Sequence, residues 1–304
     1  MVDTMDRKTK VNIDHLKTES RNPKTLNLDT MTTMELIRIM NEEDQNVINT
    51  IKEALPQIEK SIRLVIEALD QKGRLIYMGA GTSGRLGILD AVECVPTFST
   101  TNEVTGIIAG GDKAFVRAVE GAEDSEELAA SDLEAIKIGE EDVVVAIAAS
   151  GRTPYAIGAL KYAKKCNSKC ISISCNKGAK LSEYADEAIE VDAGPEILTG
   201  STRLKAGTCQ KIILNMISTA AMVGIGKVYG NLMVDMKATN LKLIERAKRI
   251  VMESTGCDLG TAAKTLEETE VSIKEAIVMI LTGVDQVEAK KRLADNKGFI
   301  RKCI

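Results

Sequence analysis

Apolar residues recur at helical spacing from Thr33 in MELIRIMNEEDQNVINTIKEAL, and again after Pro56 in IEKSIRLVIEALDQKG, which closes at Gly73. This spacing predicts two helices before any strand. Short β-rich runs then follow at RLIYM (74–78), EVTGIIAG (103–110), DVVVAIAAS (142–150) and CISISC (170–175), with a weaker one at EAIEV (187–191). Helical stretches separate them. Buried strands alternating with helices imply right-handed crossovers and a parallel sheet covered on both faces, so the expected fold class is α/β, a doubly wound parallel sandwich. Beyond Arg203 the pattern is wholly helical: residues 204–229 read as one long helix and 231–255 as another. Three shorter amphipathic segments follow near 258–268, 271–282 and 285–296, bounded by glycines. The expected organisation is an N-terminal arm with helices (1–56), a central α/β domain (57–239) and a small C-terminal helical subdomain (240–304).

A chain of 304 residues with 44% hydrophobic content can build such a core without staples. Its 40 basic and 44 acidic residues give a net charge of −4 with no basic track, which argues against nucleic acid as a partner. The seven cysteines form no paired C-x-x-C motifs and mostly sit in apolar runs, as expected of reduced thiols. The N-terminal stretch lacks the apolar core of a signal peptide, and no run of about eighteen apolar residues occurs. A soluble, cytoplasmic protein without a membrane partner is therefore expected. The single histidine, His15, rules out a triad or multi-histidine metal site within one chain, leaving acid–base chemistry to carboxylates, Lys, Cys or Tyr.

Three expected strand ends are rich in glycine and hydroxyls: GAGTSGR (79–85), ASGRTPY (149–155) and TGSTRLKAGT (199–208). The first contains G-x-G-x-x-G at Gly79, Gly81 and Gly84, a dinucleotide-loop pattern. A dinucleotide site also needs an acid at the end of the second strand, and the nearest candidate, Glu103, stands at that strand's beginning. A phosphomonoester fits better, since its terminal oxygens accept from backbone N–H groups and hydroxyls together. The candidate phosphate-binding residues are Gly81, Thr82, Ser83, Ser150, Gly151, Thr153 and Ser201, with Thr202 beside them. Simple helix capping is the competing explanation for these hydroxyls. Three such loops at successive strand ends favour a sugar phosphate. Lys205, Arg85 and Arg152 rank lower, because each also reads as a surface or helix-terminal charge.

The segments LKTESRNPKT, GAGTSGRLGILDAVECVPTF, AVEGAEDS, IAASGRTPYAIGAL, TGSTRLKAGTCQKIILNMIST and GKVYGNLMVDMKATN resemble the sugar isomerase (SIS) domain family. Within it they are similar to the etherase branch that acts on N-acetylmuramic acid 6-phosphate. The glucokinase regulatory protein is a distant, noncatalytic relative by the same resemblance. The resemblance implies a carbon–oxygen lyase that removes D-lactate from the sugar's C3 ether and leaves N-acetylglucosamine 6-phosphate, in cell-wall sugar recycling. It implies no cofactor and no metal, and a homodimer. The family's catalytic acids fall on Glu93 in DAVEC and Glu123 in EGAEDS, with Glu93 as the expected proton donor to lactate. A noncatalytic sugar-phosphate regulator and an aldose–ketose isomerase are the alternatives.

Apolar neighbours on both sides suggest that Glu93 is buried, a setting that would raise a carboxyl's pKa. A continuous helix from Gly84, however, would carry it about 13 Å from the phosphate loop. Either that helix is short or bends before Pro96, or a neighbouring subunit completes the site.

Overall fold

The computed structural model describes residues 16–117, 119–238 and 240–304, so His15 lies outside the described residues. An arm of short 3-10 turns leads into α1 (Thr33–Glu53), which Thr32 and Glu35 start with a reciprocal capping box. α2 (Leu55–Asp70) follows, with Pro56 in its first turn and Ile58, Val65 and Leu69 buried along one face. The alternating part of the chain then gives β1 (Leu75–Gly79), α3 (Gly81–Phe98), β2 (Val104–Ile108), α4 (Asp112–Val116), α5 (Glu126–Ala135), β3 (Val143–Ala148), α6 (Pro154–Lys165), β4 (Lys169–Ser174) and β5 (Glu187–Glu190). α7 (Lys205–Gly224), α8 (Leu241–Thr255), α9 (Leu259–Glu268), α10 (Ile273–Thr282) and α11 (Gln286–Asp295) complete it.

The five strands pair in parallel in the order β2-β1-β3-β4-β5. Alternation along each strand divides its side chains between two cores. Leu75, Tyr77, Val143, Val145, Ile171 and Ile173 pack with residues of α2, α3 and α7. Ile76, Met78, Val144 and Ala146 pack on the other face with α5 and α6. β1 and β3, at the centre, are buried on both faces and read as unbroken apolar runs, each large aliphatic contributing roughly 1.5–3 kcal/mol.

β1 hydrogen-bonds to both β2 and β3, and the chain runs outward in opposite directions from that pair. Strand order therefore reverses between β1 and β3, opening a crevice at their carboxyl ends, where ligands of such sheets bind.

One expected helix is shorter than its apolar pattern suggests. Residues 231–238 form turns and loop, and α8 begins only at Leu241, capped by the Asn240 side chain. Gly226 and Gly230 have φ of +79° and +61°, left-handed values that stop α7 from continuing. Val234 and Met236 in this loop instead bury themselves in a third core with α8, α9, α10 and α11. Asp235 fastens the loop there, accepting from Lys274 at 2.6 Å and pairing with Lys227 at 3.4 Å.

Candidate active site

A cavity of about 490 Å³ occupies the crevice between β1 and β3. Gly81, Thr82 and Ser83 line it from the first loop, Ser150, Arg152 and Thr153 from the second, and Gly200 and Thr202 from the third. Glu123 and Asp124 close one side, from a 3-10 turn ahead of α5. The loops expected to share a site thus do meet. Gly151 and Ser201 are not among the lining residues. Gly151 instead shapes its turn, with φ of +68° and no room for a Cβ, which would come 2.4 Å from the Ala179 methyl group.

Glycine is required in the first loop for two separate reasons. Gly81 has φ of +53°, and a Cβ on Gly84 would stand 2.5 Å from the Gly79 carbonyl oxygen. The close approach of α3 to β1 puts the helix start directly over the strand end. Within α3 the first N–H to bond back is that of Gly84, to the Ala80 carbonyl at 3.2 Å. The N–H groups of Gly81, Thr82 and Ser83 therefore have no partner within the helix, and among the described residues no side chain caps them.

Capping elsewhere makes this informative. Thr32, Ser125, Asn240, Asp258 and Asp285 each cap a helix with a side-chain oxygen. Thr153 begins α6 without a side-chain cap, leaving its hydroxyl available to the cavity. Two helix starts carrying partial positive charge thus converge on one polar cavity, which suits an anion. Ser83 donates its hydroxyl proton to Gln210 at 3.0 Å, leaving its oxygen lone pairs as the free part of that group. Ser150 accepts from the Arg152 N–H at 3.2 Å, so its own proton remains to be given.

The start of α7 is different. Glu196, buried, accepts from the N–H groups of Lys205 and Ala206, both at 2.9 Å, and so occupies this helix start itself. Burial raises the Glu196 carboxyl pKa, partly offset by these bonds. Lys205, only 2% exposed, turns away and gives its ammonium to Glu43 at 2.8 Å. Burial works against the Glu43 charge, yet hydrogen bonds from Lys205 and Lys24 hold its pKa down to about 2. Lys205 is thereby committed to an internal ion pair and not to an incoming anion. Arg85 is also committed, donating to the carbonyls of Phe115 and Ala114 at 2.8 and 2.7 Å. Arg152 is among the residues that line the cavity.

Glu93 departs most from expectation. α3 runs unbroken from Gly81 to Phe98 with Pro96 inside it, so the helix neither ends early nor opens toward the crevice. At 1.5 Å per residue Glu93 lies about 18 Å along the axis from Gly81. It is exposed, not buried, because its apolar neighbours Leu89, Val92 and Val95 are themselves exposed. Glu93 lines a separate cavity of about 540 Å³ with Asp90, Asn215, Ser218 and Asn231. Glu93 and Glu123 thus occupy different cavities of one chain. Beside the Glu93 cavity runs an apolar groove of about 810 Å³ between α2 and α7, sharing Asn215, Thr219 and Val223 with it.

The comparisons with known proteins agree with this fold. Residues 57–164 match the glucokinase regulatory protein N-terminal SIS domain, and residues 119–222 match the SIS domain. A phosphoheptose isomerase from Francisella tularensis shares the fold with a TM-score of 0.50, at 19% identity over 64% of this chain and 98% of that one. The fold and its crevice are those of an SIS-domain protein. N-acetylmuramic acid 6-phosphate etherases from Geobacillus sp. (strain WCH70) and Bacillus cereus (strain 03BB102) are 59% and 56% identical to it, over 96% of this chain and 99% and 100% of theirs. The chain belongs to the N-acetylmuramic acid 6-phosphate etherase family.

Proposed function

We propose that this chain cleaves the D-lactyl ether of N-acetylmuramic acid 6-phosphate, giving N-acetylglucosamine 6-phosphate and D-lactate. The observation that carries the reading, in a chain of this family, is the meeting of uncapped helix starts, free hydroxyls and Glu123 in one cavity. The phosphate dianion takes the N–H groups of Gly81, Thr82 and Ser83, with hydroxyls of Thr82, Ser150 and Thr153 around it, while the Ser83 hydroxyl proton stays with Gln210.

An ether oxygen on C3 leaves poorly, but opening of the sugar ring gives an aldehyde that acidifies the C2 hydrogen. One carboxylate removes that proton while a carboxylic acid protonates the departing lactate oxygen, so the C3–O bond breaks and a C2–C3 double bond forms. Water then adds at C3, giving its proton to the carboxylate that had protonated lactate, and the carboxyl that took the C2 proton returns it to C2. Two carboxyls in opposite protonation states serve both halves. Glu93 is the proton donor to lactate and Glu123 the second acid–base group.

One chain keeps these carboxyls apart, so Glu93 reaches the substrate from a second copy in a two-fold homodimer. The exposed Leu89, Val92 and Val95 and the neighbouring apolar groove support such a contact. Seven free thiols fit a reducing, cytoplasmic setting. The test is a coupled D-lactate dehydrogenase assay with N-acetylmuramic acid 6-phosphate: this reading expects stoichiometric D-lactate, whereas a sugar-phosphate regulator or an aldose–ketose isomerase releases none.

A further inference from the structure

Two buried anchors hold the arm that precedes α1 against the carboxyl ends of the sheet. The first is Asn176, just after β4 and 3% exposed. Its side-chain oxygen accepts from the N–H groups of Lys17 and Thr18 at 2.8 and 3.4 Å. Its amide donates to the Thr18 hydroxyl at 3.1 Å and to the Ala149 carbonyl at 3.0 Å, and Ala149 itself lines the cavity. The second anchor is Asn22, also buried, which donates to Glu43 at 2.9 Å, next to Thr25, which donates to the Ile197 carbonyl at 2.8 Å. Buried polar groups satisfied in this way fix a segment that has little apolar surface of its own.

Glu19 stands between the anchors. It is half-buried and lines the same cavity as Thr82, Ser150 and Glu123. Its Oε2 lies 3.3 Å from where a Cβ on Gly200 would be, against the third loop. Among the described residues its carboxylate accepts no hydrogen bond and joins no ion pair. An ionised carboxylate only accepts, and it repels a phosphate dianion. The part of a bound sugar phosphate that faces it must therefore be a neutral donor.

We propose that Glu19 is a substrate-binding residue, accepting a hydrogen bond from a hydroxyl or amide N–H of the sugar while the phosphate lies at the donor-lined helix starts. The opposition of one carboxylate and two helix starts fixes which end of the sugar phosphate enters where. This inference rests on reading the cavity as a sugar-phosphate site. The full chain and its Glu19→Ala variant are compared for calorimetric binding of N-acetylglucosamine 6-phosphate, and for displacement of that ligand by inorganic phosphate. The expected result is a loss of about 10-fold or more in sugar-phosphate affinity, a smaller loss in Glu19→Gln, and an inorganic phosphate affinity held within about twofold. A merely structural role would weaken both ligands together. Equal weakening of the two, or no change in either, overturns the role of Glu19 and leaves the sugar-phosphate reading standing. If the unaltered chain binds phosphate but not the sugar phosphate, the reading of the cavity falls, and the role of Glu19 with it.

Discussion

At the crevice between β1 and β3, unpaired N–H groups and hydroxyls converge on a polar cavity, while about three turns further along α3 the same helix shows Glu93 among exposed Leu89, Val92 and Val95. The first region, which suits an anion, is lined by groups of one chain. The second combines an acid with apolar surface that a monomer would not leave bare without reason. One rigid helix links them, so no bending within a chain brings the acid to the anion. On the proposed reading, anion binding and one of the two acids come from different copies, so that the loss of Glu93 and the loss of the anion cavity are separable.

Glu93→Gln gives the largest effect. Lactate release should fall about 10³-fold while calorimetric affinity for N-acetylglucosamine 6-phosphate is kept, because the phosphate is held by the helix starts and hydroxyls and not by this acid. A parallel loss of binding would erase the division between the regions.

Glu43→Gln acts on the polar region through its support, leaving the Lys205 ammonium buried with no carboxylate. Urea unfolding should show a cost of about 3 kcal/mol. The same pair sets a pH dependence. The Glu43 pKa is depressed from 4.5 to about 2, so its stabilisation is present above pH 4.5 and is lost as pH falls toward 2. Stability of the unaltered chain measured across that interval should drop more steeply than that of Glu43→Gln.

A smaller effect sharpens each side. Thr82→Val removes one donor from the anion cavity and should weaken sugar-phosphate binding about 10-fold without changing the association state. Val92→Lys, on a side chain that is 57% exposed, should weaken dimerisation about tenfold in sedimentation and leave the isolated chain's melting temperature unchanged.

Much of this was legible along the chain because the signals are local. Strand runs such as VVVAIA are buried on both faces and show it, and the glycine and hydroxyl loops fall where those runs end. Less visible were features set by partners distant in sequence. Glu93 has apolar neighbours, yet which face of α3 meets the sheet depends on packing, and that face leaves Val92 and Val95 outside. Lys205 finds Glu43 at a separation of 162 residues, which no local pattern announces. The run NLMVDM is apolar enough for a helix, but glycines at left-handed φ precede it and the third core takes it as a loop. Glu19 lies in an arm without periodicity, where nothing local sets it apart from the polar residues around it.

The most direct test mixes two inactive proteins. Glu93→Gln and Glu123→Gln homodimers, dissociated and reassociated together, should regain about a quarter of the unaltered activity, since half the dimers are mixed and each of those carries one intact site. If the mixture stays inactive while sedimentation shows mixed dimers, Glu93 does not serve a partner's cavity, and the account of a site divided between copies is wrong.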